Sequence, residues 1–133
     1  MKKKFSKKWI ASKQPRKQVK YRANAKLHTK GKFVSVNLIK SLREKYEKRS
    51  LRLRKGDTVK ILRGQFKNKS GKVSKVDIKK SKIFVESIHL IKKDGTKAFY
   101  PINPSNLQIT EIVVDDKIRK QILERKTKWQ KIT

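Results

Sequence analysis

The sequence contains no cysteine, which excludes disulfides and thiolate metal sites. Its two histidines, His28 and His89, stand far apart and offer no zinc site unaided. Acidic residues are scarce: 10 Asp and Glu accompany 40 Lys and Arg, a formal charge of +30. No long apolar run, signal peptide or lipidation motif is visible. Met1-Lys-Lys-Lys-Phe5 has the charge of a signal's first region, but no apolar stretch follows. Apolar residues make up 35% of the 133 positions. That supply suits one modest domain with a small core, such as a barrel of short strands, plus tails.

What is present in excess is uncompensated positive charge. Self-repulsion at this density destabilises a compact chain unless a polyanion neutralises it. Nucleic acid is the natural choice, because neutralising phosphates releases counterions and drives binding without sequence readout. An anionic membrane surface is the weaker alternative. No acidic residue precedes Glu44, and no apolar period runs through the first 34 positions. That stretch reads as an extended basic arm, unable to bury enough surface to fold alone. Trp9, Tyr21, His28 and Phe33 are interspersed among its cations.

A short helix is expected next, capped by Ser35 or Asn37, with Leu38, Leu42 and Tyr46 on one packed face. Short strands follow. Val59 and Ile61 alternate, as do Ile83 and Val85, and the slip between Val73 and Val76 calls for a bulge. Asp94-Gly95 signals a two-residue hairpin loop returning through Lys97 to Tyr100. Pro101 and Pro104 bracket a turn before a last strand with Leu107 and Ile109. A terminal helix should start at Asp115 or Asp116, with Ile118 and Ile122 as its buried pair.

The most informative segment runs from Arg54 to Asp77. A strand ends at Arg63, a loop turns through Gly64 to Ser70, and a second strand departs after Gly71. Gly56 and Gly64 permit a positive φ, and Gly71 lets the next strand begin. Asp57 should order the turn at Gly56. Arg63, Lys67, Lys69 and Lys72, with Lys55 nearby, are phosphate-directed cations, and Gln65 and Asn68 add hydrogen-bonding amides. Phe66 either stacks on an unpaired base or folds inward to close the barrel; the sequence leaves both open.

Gly56-Asp-Thr-Val-Lys-Ile-Leu-Arg-Gly64, with Gly71-Lys-Val downstream, resembles the KOW motif of ribosomal and transcription-elongation proteins. Further segments narrow the resemblance: Ser12-Lys-Gln-Pro-Arg-Lys-Gln18, Leu27-His28, Leu42-Arg-Glu-Lys-Tyr46, Arg49-Ser50, Asn103-Pro-Ser-Asn106 and Ile122-Leu-Glu-Arg-Lys126. Their order is similar to the archaeal and eukaryotic branch of the large-subunit KOW family, number twenty-four in the universal series and twenty-six in the eukaryotic one. The likeness spans about Ser12 to Lys126. It departs from the family at Ala25-Lys26 and Asn103-Pro104, where relatives often carry Ala-Pro and His-Pro; the first departure suggests a less sharply bent arm. The segment from Lys2 to Ile10 looks like an additional extension.

The resemblance implies a mainly β fold: a small SH3-like barrel with a basic extended N-terminal arm, one short helix before the barrel and a C-terminal helix. The expected divisions are a basic extension at 1–34, helix and connector at 35–50, barrel at 51–113, and terminal helix and tail at 114–133. It also implies a structural, cytoplasmic, ribosome-bound role on the 5′ domain of large-subunit rRNA near the polypeptide exit, with help in assembly. Implied partners are that rRNA, neighbouring large-subunit proteins and factors docking at the exit, with no cofactor, membrane insertion or homo-oligomer. Expected RNA contacts in the arm are Lys7, Lys8, Trp9, Lys13, Gln14, Arg16, Lys17, Lys20, Tyr21, Arg22, Lys26, His28 and Lys30. In the barrel they are the loop residues above, with Gly56, Asp57, Gly64, Gly71, Asp94 and Gly95 shaping turns.

Two other binding classes share this charge: a KOW-domain elongation factor, which usually adds a second domain of another type, and a basic DNA-binding chromatin protein. An enzyme is disfavoured, since the carboxylates, Asp77, Glu86 and Glu111 among them, sit at turns, strand ends or caps without a His or Cys partner in sequence.

Overall fold

The computed structural model describes Lys8, Trp9 and residues 11–130, with side chains placed as far as Arg125. The first two elements are helices: α1, Pro15–Asn24, and α2, Leu27–Phe33. Here the structure departs from the extended arm expected of an all-basic stretch. Proline at the first helical position starts α1, where its missing N–H costs nothing. The Ser12 hydroxyl accepts from the Gln14 amide, and the Gln18 side chain donates back to the Ser12 carbonyl at 2.6 Å. No residue of α1 is buried, which agrees with the missing apolar period. The break between the helices does not need proline: Lys26 holds φ −67° and ψ 157°, the φ a pyrrolidine ring would impose.

Ser35 and Asn37 do not cap a helix. They lie in strand β1, Ser35–Leu38, whose alternating burial takes Val36 and Leu38 into the core. The helix comes afterwards as α3, Lys40–Tyr46, and ends at Glu47 in the left-handed region, φ 51°. Leu42 and Tyr46 do pack against the core; Leu38 packs there as well, but from the strand.

Six further strands follow: β2 Ser50–Arg52, β3 Thr58–Ile61, β4 Ser70–Asp77, β5 Lys82–Val85, β6 His89–Ile91 and β7 Lys97–Phe99. After a 3₁₀ turn at Pro104–Asn106 come β8, Leu107–Glu111, and helix α4, Lys117–Gln130. One sheet has the order β2-β1-β8-β3-β4-β5, and β6 with β7 forms a separate hairpin. The β1–β8 pairing is parallel and the rest are antiparallel. This is a small, mainly β, SH3-like fold whose sheet stays open.

The alternating residues converge as their spacing predicts. Val59, Ile61, Ile83, Val85, Leu107 and Ile109 are all essentially inaccessible. The bulge appears on β4 between Val73 and Lys75, where the Ser74 hydroxyl donates to the Phe84 carbonyl. The β6–β7 loop is one residue longer than the two-residue turn expected. Lys92 N–H donates to Thr96 C=O, and Gly95, φ 83°, donates to Lys92 C=O. That geometry is a three-residue loop whose glycine occupies the left-handed position.

Helix α4 corrects another expectation. Asp116 does cap it, accepting from the Ile118 amide at 3.0 Å. Ile118 and Ile122, however, are 66% and 37% exposed, whereas Arg119 and Leu123 turn inward at 5% and 1%. The helix is rotated by one position from the face its isoleucines suggest.

Candidate nucleic-acid interface

The reason for that rotation lies in the KOW turn. Asp57 is fully buried and accepts from both Arg119 guanidinium nitrogens, Nη1 at 2.8 Å and Nη2 at 2.6 Å. Its carboxylate also accepts from the Arg54 amide at 2.9 Å and the Val113 amide at 3.1 Å. Arg119 donates further to the Val113 carbonyl. Asp57 therefore does more than order its own turn: it ties β3, the strand β8 exit and α4 to one buried charge. A buried carboxylate needs this many donors, because burial without them is costly. Arg119 was invisible to sequence reasoning. A basic residue in a basic helix gives no signal until the fold puts it beside Asp57.

Four other carboxylates also serve structure. Asp77 accepts from the Lys80 amide, Glu111 from the Thr58 hydroxyl, and Asp116 from Arg54 Nη1 at 2.7 Å. The Thr96 hydroxyl, then its amide, hold the Asp94 carboxyl below its ordinary range. The Ile118 amide, followed by Arg54, does the same for Asp116. Among the described residues no group of His and carboxylates is arranged to hold a metal ion.

The cations are arranged differently. In the arm, Lys8, Lys13, Arg16, Lys17, Lys20, Arg22, Lys26 and His28 are exposed, as is Gln14, and Lys30 is half-buried. Lys7 lies outside the described residues. Arg16 and Lys20 are one helical turn apart, a like-charge spacing that weakens an isolated helix and that an anion between them would relieve. Trp9 stacks on Tyr21 with centroids 4.0 Å apart, and Tyr21 meets Phe33 edge-on at 6.2 Å. These aromatics thus bind the arm's segments to one another. Gly31 lies beneath the Arg52 guanidinium, which a Cβ there would meet at 2.5 Å; this close approach seats α2 against β2.

The barrel candidates divide between two ends of β3. Lys55 and Gly56, φ 93°, lie at its start, and Lys72 pairs with Thr58 beside them. Arg63, Gln65, Lys67, Asn68 and Lys69 lie at the far end, all exposed on a tight loop. Gly64 has φ 97° and Asn68 φ 68°. The strand between spans about 13 Å at a rise of about 3.3 Å per residue. Phe66 takes the inward alternative: it is half-buried against the core, edge-on to Tyr100 at 5.1 Å, with Lys69 Nζ 5.4 Å from its ring. Gly71 lies where a Cβ would meet Ser87 Oγ and then Val85 Cγ1, the latter at 2.9 Å, so this close approach disfavours a side chain. Asn103 accepts from Lys82 Nζ at 2.6 Å. No helix among the described residues is long and apolar enough to cross a membrane.

An SH3-like β fold with exposed cations on a helical arm and at both ends of its KOW strand defines the class: a small, strongly basic protein of mainly β structure. Residues 12–126 match the family that unites the eukaryotic L26 and the archaeal L24 ribosomal proteins, and the chain belongs to that family. Three similar relatives bear the name large ribosomal subunit protein uL24. The protein of Methanoculleus marisnigri is 48% identical over 114 residues, covering 86% of this chain and 94% of its own. That of Methanosphaera stadtmanae is 47% identical over 115 residues, 86% and 98% of the two chains. That of Methanocorpusculum labreanum is 46% identical over 117 residues, 88% and 97%.

Proposed function

We propose that this protein is a structural, non-enzymatic constituent of the large ribosomal subunit that binds large-subunit rRNA through its arm and barrel ends. The observation that carries the reading is the fourfold excess of cations, 40 against 10 acids, within a chain of this ribosomal family. The barrel is a rigid platform, and α1 and α2 are cationic rods that fit where RNA strands crowd. Their contacts neutralise phosphates and set position, with little sequence information. Specificity comes from RNA shape and from unpaired bases near His28 and the loop amides Gln65 and Asn68. The binding region is the 5′ domain of the rRNA near the polypeptide exit. Neighbouring ribosomal proteins and factors at the exit complete its surroundings, in the cytoplasm, and the protein assists subunit assembly.

The test is sedimentation of a tagged copy through a sucrose gradient at moderate salt. Co-migration with large subunits is the expected result. Recovery with RNA polymerase or with bulk DNA would overturn it in favour of an elongation factor or a chromatin protein.

A further inference from the structure

A groove of about 680 Å³ lies between α4, β2 with the turn after it, and the end of β4, within the range of about 300–1,000 Å³ typical of ligand-sized clefts. Ile118 and Ile122 of α4 line it together with Val76 and Ile78. At 66% exposure Ile118 is open to solvent, while Leu123 takes the buried aliphatic position of its helix. Arg52, Lys55 and Lys75, all exposed, stand among the lining residues.

Aliphatic walls with cationic neighbours call for an occupant that is apolar at its centre and negative at its flanks. RNA fits this poorly. No aromatic residue is among the described lining residues, so bases find no stacking platform, and a phosphate backbone would leave the isoleucines uncovered. A peptide with aliphatic anchors flanked by carboxylates satisfies both features, since helix-and-groove recognition uses such spaced anchors. We infer that this groove docks a segment of a second protein in which bulky aliphatic side chains are flanked by Asp or Glu. The charge of the rim steers that segment and rejects basic sequences. Of its described lining residues only Lys55 is among the rRNA contacts proposed above.

The probe is a fluorescent 12-residue peptide of alternating Glu and Leu, titrated against the full chain by anisotropy. A Glu–Ser peptide of equal charge, a Lys–Leu peptide and a 12-nucleotide RNA are the comparisons. The Glu–Leu peptide should bind saturably, at least tenfold tighter than Glu–Ser, and Lys–Leu should not bind. The double variant Ile118→Ser/Ile122→Ser should lose at least tenfold in Glu–Leu affinity, whereas Leu90→Ser, on the distant hairpin, should change nothing. Circular dichroism verifies that both variants fold, and methyl NMR of Ile118 and Ile122 reads occupancy of the wild-type groove directly. Equal binding of Glu–Ser, no effect of the double variant, or RNA rather than peptide shifting those methyls would each overturn the proposal. Retention of rRNA binding by the double variant separates this site from the rRNA surface.

Discussion

Replacing Arg119 by methionine should destabilise the protein by about 3 kcal/mol, because removing one partner of a buried ion pair costs about 3–5 kcal/mol. The lower end applies: Asp57 would still accept from the Arg54 and Val113 amides. Asp57→Ala should reach the upper end or exceed it. It strands a guanidinium that is 5% exposed and orphans two amides, each worth roughly 1–3 kcal/mol when buried without a partner. Against a total stability of about 5–15 kcal/mol for a domain, either change is severe. Urea unfolding followed by circular dichroism measures both. The double variant should cost clearly less than the sum of the singles, since the stranded charge then disappears. Because the pair is buried, raising salt should change these differences little. If both singles cost under about 1 kcal/mol, or if their effects simply add, Asp57 and Arg119 do not hold α4 to the barrel as the geometry requires.

Other outcomes follow from the surface and the strands. Arg16→Ala/Lys17→Ala should weaken rRNA-fragment binding about equally across sequences, and lower the salt slope by about one unit per lost contact; filter binding at several salt concentrations measures this. Gly71→Val should cost about 1–3 kcal/mol through crowding against Ser87 and Val85, read as a lowered urea midpoint. Asp94 and Asp116 both have carboxyl pKa values below the ordinary 3.8 in the folded protein. Their stabilisation is complete above the unfolded value and fades as pH falls through the lower folded one. Melting temperatures should therefore drop between about pH 5 and about pH 2, and less steeply in Asp116→Asn.

Much of the β fold was legible because strand alternation is local. Val59 with Ile61, Ile83 with Val85, and Leu107 with Ile109 announce their buried faces whatever the neighbouring strands do, and the slip from Val73 to Val76 marks the bulge in the same way. The arm was less legible. Its helices rest on a proline start, a Ser12–Gln18 contact and the Trp9–Tyr21–Phe33 stack, none of which leaves an apolar period. Ser35 to Leu38 reads equally as helix entry or strand until β8 supplies a parallel partner.

By itself, the sequence determined the charge, the KOW turn and the inward set of strand residues, since composition and period-two patterning need no knowledge of distant contacts. Only the tertiary structure decided which face of α4 turns inward. Two isoleucines one turn apart favour one face by hydrophobicity, yet a buried carboxylate in the turn before β3 requires Arg119 on the other. The Asp57 carboxylate 62 residues away and the core position taken by Leu123 decide the face together, and the spacing of the isoleucines does not encode it.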